Sequence, residues 1–255
     1  KVDYLLFGGI YRRLQMIVTG KVNIDWTFFE IDKCSEQKAV LKPQFKILNS
    51  KQAGNYSLQI EFTKEGQLVK KTKYDINLNK NENELVLDNI VISDPKLWYP
   101  DNLELYTVNT KLLDEEEDVL DSYQANLGIR KVEFKDDGLF YINDEKLKLR
   151  GLNRHQLYPY VGNAMPDKGQ EKDAEFLKEE LGLNFVRSSH YPADPAFLDR
   201  CDEIGLLVFE EIPGWQHIGG EDWKEVAVQN LKEMIIRDRN HPSIFIWGVR
   251  INESQ

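Results

Sequence analysis

At Gly128 the hydrophobic pattern changes period, and that change limits the chain to two kinds of layered structure joined in series. Before it, from about Lys21 to Leu127, apolar and polar residues alternate, as in Tyr56-Leu58-Ile60-Phe62, Tyr74-Ile76-Leu78 and Leu85-Leu87. Period two marks strands that bury one face. The interruptions Gln52-Ala53-Gly54-Asn55, Lys64-Glu65-Gly66-Gln67 and Asn79-Lys80-Asn81-Glu82-Asn83 are the polar, Gly/Asn-rich connections of antiparallel hairpins. The reading is an immunoglobulin-like β-sandwich over 21–127, with the acidic run 114–118 as a solvated hairpin tip.

After Gly128, strands alternate with helices, which implies a parallel sheet with crossover helices. Four units can be counted. A strand at 147–153 precedes a helix carried by Ala174, Leu177 and Leu181 and stopped at Gly182. A strand at 184–187 precedes a helix capped by Asp194, with Pro195 in its first turn, Leu198, Cys201 and Ile204 on one face, and Gly205 as its stop. A strand at 206–209 precedes a helix starting near Asp222, whose apolar face is Trp223, Val226, Ala227, Leu231, Met234 and Ile235. A strand at 244–247 completes the fourth unit.

The fold class is therefore multidomain, β plus α/β, with 128–255 holding the first four β/α units of a (β/α)8 TIM barrel, a fold that takes about 250 residues when whole. A hairpin joining Val132-Glu133-Phe134 to Phe140-Tyr141-Ile142 across Asp136-Asp137-Gly138 is expected to plug the amino-terminal mouth of the barrel.

A net charge of −10 without a basic cluster excludes a nucleic-acid or anionic-membrane surface but leaves a neutral polyol substrate open. No apolar run approaches membrane-spanning length. Cys34 and Cys201 fall in different segments, so both are read as packing residues rather than as a disulfide or a metal knuckle.

Polar residues collect after each expected strand: Asn153-Arg154-His155, then Arg187-Ser188-Ser189-His190-Tyr191-Pro192, then Glu210-Glu211, and finally Asn252-Glu253 beyond Trp247. In a barrel these ends converge on one face. A carboxylate such as Glu253 in that position suits acid/base work on a sugar, which also needs a second, facing carboxylate.

The segment Asn184-Phe185-Val186-Arg187-Ser188-Ser189-His190-Tyr191-Pro192, followed by Phe197-Leu198, Asp202, Gly205 and Leu206-Leu207-Val208-Phe209, resembles the long signature of glycoside hydrolase family 2. Asp238-Arg239-Asn240-His241-Pro242-Ser243-Ile244-Phe245-Ile246-Trp247 with Asn252-Glu253 is similar to its second signature, although four residues separate Trp247 from Asn252. Phe7-Gly8-Gly9-Ile10-Tyr11-Arg12 resembles the end of that family's jelly-roll sugar-binding domain, placed at 1–20, and Leu97-Trp98-Tyr99-Pro100 to Tyr106 resembles its immunoglobulin-like domain. Gly151-Leu152-Asn153-Arg154-His155 is similar to the β-galactosidase branch.

The resemblance implies a retaining hydrolase of terminal β-D-galactosides. Glu253 would be the catalytic acid/base and Asn252 the partner of the sugar 2-hydroxyl. Arg187, His190 and His155 would be substrate-side contacts, Arg154 and Glu211 braces, and Trp215 either a stacking platform for a sugar ring or a packing residue. The family's nucleophile comes from its seventh barrel strand, so the expectation is a fragment that is inactive alone. Its frequent magnesium site is not expected, because His217 stands in the histidine position but Trp215 in that of the glutamate. No cofactor is implied. The partner is a carbohydrate, with self-association through exposed half-barrel edges as a further expectation. The alternatives are a β-glucuronidase or β-mannosidase parent, or a non-catalytic carbohydrate-binding or scaffolding module.

Overall fold

The structure is a computed structural model that describes residues 9–213 and 218–249. Its first body contains two antiparallel sheets. One orders β1 (Val22–Cys34), β2 (Lys38–Asn49) and β5 (Asn81–Val86), with β6 (Ile90–Ser93) also paired to β2. The other runs β4 (Gln67–Leu78), β3 (Gly54–Lys64), β7 (Leu105–Leu113), β8 (Val119–Gly128). Inward-facing residues alternate along the strands, so Phe45 and Ile47 of one sheet and Leu58, Ile60 and Phe62 of the other are completely buried. Phe29 packs edge-on against Phe45 of its own sheet at 5.9 Å and against Phe62 of the facing sheet at 5.5 Å. Burial of each such side chain contributes about 1.5–3 kcal/mol relative to exposure.

A small sheet follows, β9 (Val132–Phe134), β10 (Phe140–Ile142) and β11 (Glu145–Lys146), and contains the expected hairpin with Phe134 opposite Phe140. Phe140 lies 5.0 Å from Phe245, which in turn lies 5.5 Å from Phe185. Since Phe185 and Phe245 stand at the starts of their strands, the hairpin covers the amino ends of the sheet that comes next.

That sheet is parallel and keeps sequence order: β12 (Gly151–Arg154), β13 (Phe185–Ser188), β14 (Leu207–Glu211), β15 (Ile244–Gly248). The helices between the strands are α1 (Asp167–Glu175), continued by a wider π turn over Phe176–Glu180, then α2 (Pro195–Ile204) and α3 (Glu221–Asp238). Asp194 caps α2 by accepting the Ala196 N–H at 3.0 Å. Gly205 ends the helix at φ 73°, where an added Cβ would sit 2.0 Å from the Pro100 carbonyl oxygen. On α3 the inward stripe is Trp223, Ala227, Leu231, Met234 and Ile235, whereas Val226 is turned outward.

Contacts between the two bodies gather at the amino ends of the parallel strands. Arg130 donates to the carbonyls of Pro242 and Ile244, and Asn240 donates to the Thr27 carbonyl at 2.8 Å. The Arg239 guanidinium stacks over Trp26 and Phe28, and the buried Trp98 indole donates to the Asp202 carbonyl at 2.9 Å. Asp202 also accepts from His241 Nδ1 at 2.6 Å and from the Ser243 N–H at 3.0 Å. Both cysteines are free, Cys201 buried in the α/β core and Cys34 half-buried beside the sandwich core. Among the described residues, no helix is long and apolar enough to cross a membrane.

Candidate active site

Side chains alternate across β13 and β14, so only one of each adjacent pair faces the concave side of the parallel sheet. Arg187 near the end of β13 and Glu211 at the end of β14 meet there, with Arg187 Nε and Nη2 donating to Glu211 Oε2 at 3.1 and 2.9 Å. The other oxygen, Glu211 Oε1, lies 2.5 Å from His190 Nδ1. Glu211 is fully buried and His190 nearly so. A desolvated carboxylate of this kind is tolerable because each oxygen has a charge-assisted or imidazole partner. Glu211, expected as a brace, holds Arg187. Arg154 turns the other way, to Asp173 Oδ2 at 2.7 Å and Gln170 Oε1 at 2.6 Å, with its guanidinium over the Phe197 ring.

His155 follows β12, and its ring stands 5.3 Å from that of His190 and 6.5 Å from Tyr191. The structure therefore brings His155, Arg187 and His190 together at the carboxyl ends of adjacent strands. Trp215, His217, Asn252 and Glu253 lie outside the described residues. The cis peptide bond found among the described residues is Ser189–His190.

Glu210 and Glu211 do not form the open carboxylate pair that their adjacency suggests. Glu210 is fully buried on the opposite face of β14, where its Oε1 accepts the Ala193 N–H at 2.8 Å. Its Oε2 makes no hydrogen bond of ordinary geometry, and Asp238 stands beside it. Burial, then the Asp238 charge, pushes Glu210 up to about 8 against the pull of Arg237 and the Ala193 N–H. Burial thus favours its protonated form.

Sequence reasoning missed three participants. Arg12, half-buried in the irregular segment 9–20, donates to Gln156 Oε1 at 2.9 Å, Pro192 O at 2.7 Å and Ala193 O at 2.9 Å. Gln156 is buried, and its N–H donates to Tyr191 Oη at 3.1 Å. Arg237 donates to Ala193 O at 2.8 Å. For Arg12 the sequence held no local signal, since its partners lie more than 140 positions away.

Among the described residues, one group of acids and imidazole has metal-like spacing: Asp199, Asp202 and His241. Asp202 and His241 are engaged in the hydrogen bonds at the amino ends of the strands, away from Arg187 and His190. Asp202 outweighs burial to raise His241 to about 9.

The fold and this cluster can be set beside known proteins. Residues 22–130 match the family model described as glycosyl hydrolases family 2, and residues 132–255 match the model for that family's TIM barrel domain. The chain belongs to glycosyl hydrolase family 2. A beta-galactosidase of Thermoanaerobacter pseudethanolicus is 54% identical over 99% of this chain, which covers 34% of that protein. A putative beta-glucuronidase of Formosa agariphila is 37% identical over 98% of the chain and 30% of its own length. Among solved structures, a Bacteroides uniformis beta-glucuronidase superposes with a TM-score of 0.82 at 30% identity, over 89% of this chain and 28% of that one. The chain spans about a third of the length of the curated relatives it matches.

Proposed function

We propose that this chain is part of a retaining glycoside hydrolase acting on terminal β-D-galactosides. In this reading the sandwich is the family's immunoglobulin-like domain over 21–127, the preceding residues are the tail of a jelly-roll sugar-binding domain, and 128–255 supplies the first four β/α units of the barrel. The observation that carries the reading is the Arg187–Glu211–His190 cluster at the carboxyl ends of parallel strands, with His155 beside it. That is where a barrel of this kind keeps its chemistry.

Glu253 protonates the glycosidic oxygen and then deprotonates the attacking water, and Asn252 holds the sugar 2-hydroxyl. Glu211 fixes the orientation of the Arg187 guanidinium and of the His190 ring, so that both face the ring hydroxyls. Trp215 stacks on the sugar. Neither Glu210 nor Glu211 serves as the second carboxylate, because both are buried and already bonded. The 255 residues alone are therefore expected to bind but not to hydrolyse. The edges of β12 and β15 are the surfaces through which copies of the isolated chain would associate.

The galactoside is favoured over the glucuronide by the 54% identity to a beta-galactosidase against 37% to a putative beta-glucuronidase. The test is a panel of nitrophenyl galactoside, glucuronide and mannoside on protein extended to the length of the relatives. Preference for the galactoside, abolished by Glu253→Gln, supports the reading. A glucuronide preference moves the substrate class, and galactoside binding by calorimetry without any turnover points to a binding module.

A further inference from the structure

The turn that carries His190 is gripped from behind as well as in front, and we propose that Glu210, Arg12 and Arg237 are positioning residues for the His190 imidazole. Both backbone polar groups of Ala193 are taken by ionisable side chains. Its N–H donates to Glu210 Oε1 at 2.8 Å, and its carbonyl accepts from Arg12 Nη1 at 2.9 Å and Arg237 Nη2 at 2.8 Å. Arg12 Nη2 adds the Pro192 carbonyl at 2.7 Å. These three side chains come from β14, the segment 9–20 and α3, so parts of the chain far apart in sequence converge on the backbone of one residue.

The front grip is Glu211 on the imidazole itself. Glu210 and Glu211 are consecutive on one strand and face opposite ways, so β14 fixes the His190 ring and the backbone three residues after it as a single rigid unit. Arg12 extends the unit sideways. Through Gln156, which donates its own N–H to Tyr191 Oη, the guanidinium joins the loop after β12 to the turn after β13. Those are the segments that present His155 and His190, whose rings stand 5.3 Å apart.

Stability alone does not account for this arrangement. A completely buried carboxyl beside a second acid, with Arg237 at 3.5 Å, gains little stability over an apolar side chain of the same shape. What the carboxyl supplies is a directed acceptor for the Ala193 N–H, which no apolar residue provides. Directed support of this kind holds a binding group to within about 0.5 Å of its working position. The catalytic consequence rests on the glycosidase reading; the grip on the turn does not.

The experiment is proton NMR of the chain, following the low-field imidazole N–H signals. His190 on Glu211 and His241 on Asp202 each give one, assigned by His190→Gln and His241→Gln, and the second reports on folding of the same sheet. In Glu210→Ala and Arg12→Ala the His190 signal is expected to shift or vanish while that of His241 stays. Glu210→Gln, which keeps the acceptor oxygen, is expected to restore it.

An unchanged His190 signal in both alanine variants would overturn the proposal. So would loss of both signals in both variants, which would make these residues merely structural, and Arg12→Ala decides the matter where Glu210→Ala does not fold. In protein extended to the relatives' length, Arg12→Ala is expected to lower kcat/KM for the galactoside about 10- to 100-fold. A His190 signal that responds as expected, in an extended protein that turns over no glycoside, leaves the positioning intact and removes the glycosidase reading.

Discussion

The sandwich and the parallel sheet bury different kinds of atoms. Buried polar residues of the sandwich are neutral, as with Asn23, Thr27, Asn49, Ser57, Asn83 and Thr110. Beyond Gly128 the buried set includes Arg154, His190, Asp194, Asp202, Glu210, Glu211 and Asp238. An apolar core gives stability without needing exact angles, whereas buried ionisable groups cost free energy and survive only when paired in fixed directions. The first body is built to stay folded. The second spends part of its stability on orienting charge.

Four measurements break or sharpen that contrast. Phe62→Ala removes a ring from the centre of the sandwich and is expected to cost about 3–5 kcal/mol in denaturant unfolding, without altering the low-field signal of His190. A change in that signal would show that the two bodies are not separable in this sense.

Glu211→Ala leaves Arg187 and His190 without their shared carboxylate and is expected to cost about 3 kcal/mol, while also abolishing galactoside binding. Undiminished binding would place the sugar elsewhere.

The third measurement is pH. His241 is raised to about 9, so its pairing with Asp202 stabilises the fold fully below its ordinary value near 6.5 and is lost as pH rises through about 9. Glu210, an acid raised to about 8, acts in the same direction, because between about 4.5 and 8 the folded state keeps a proton that the unfolded state releases. The His241 share of the fall in stability between pH 6.5 and 9 is expected to be up to about 3 kcal/mol, and His241→Gln should remove that share and flatten the slope. A slope unaffected by His241→Gln would remove the pair from the account.

The smallest effect is expected at the sandwich surface. Lys64, held to Glu104 at 2.6 Å, should cost less than about 1 kcal/mol when replaced by alanine.

Much of this architecture is legible in the residues. The alternation in 56–62 and the Asp194-Pro195 to Gly205 punctuation of α2 correspond to observed elements because they are local effects, set by side-chain direction and backbone capping. The strand expected at 147–153 is shorter, since Leu147 and Leu149 pack beneath the hairpin with Trp98 and pairing with β13 begins only at Gly151. The π turn after α1 left no mark in the spacing of Ala174, Leu177 and Leu181.

In the site, Arg187, His155 and His190 were visible because each ends or follows a strand. The different fates of Glu210 and Glu211 follow from strand alternation alone, but which of the two faces the cleft depends on the position of α3 and Asp238. Arg12 depends entirely on tertiary contact, so its role could not be read before the fold was known.

The Trp98–Asp202, Arg130–Pro242 and Asn240–Thr27 ties all land beneath the sheet, at the end remote from His155 and His190. Among the described residues these ties of the sandwich hold the base of the sheet, while the rim loops are gripped by Arg12 of the preceding segment. Under the proposed function, substitutions in those loops would change which saccharide is admitted while the docking beneath stays the same.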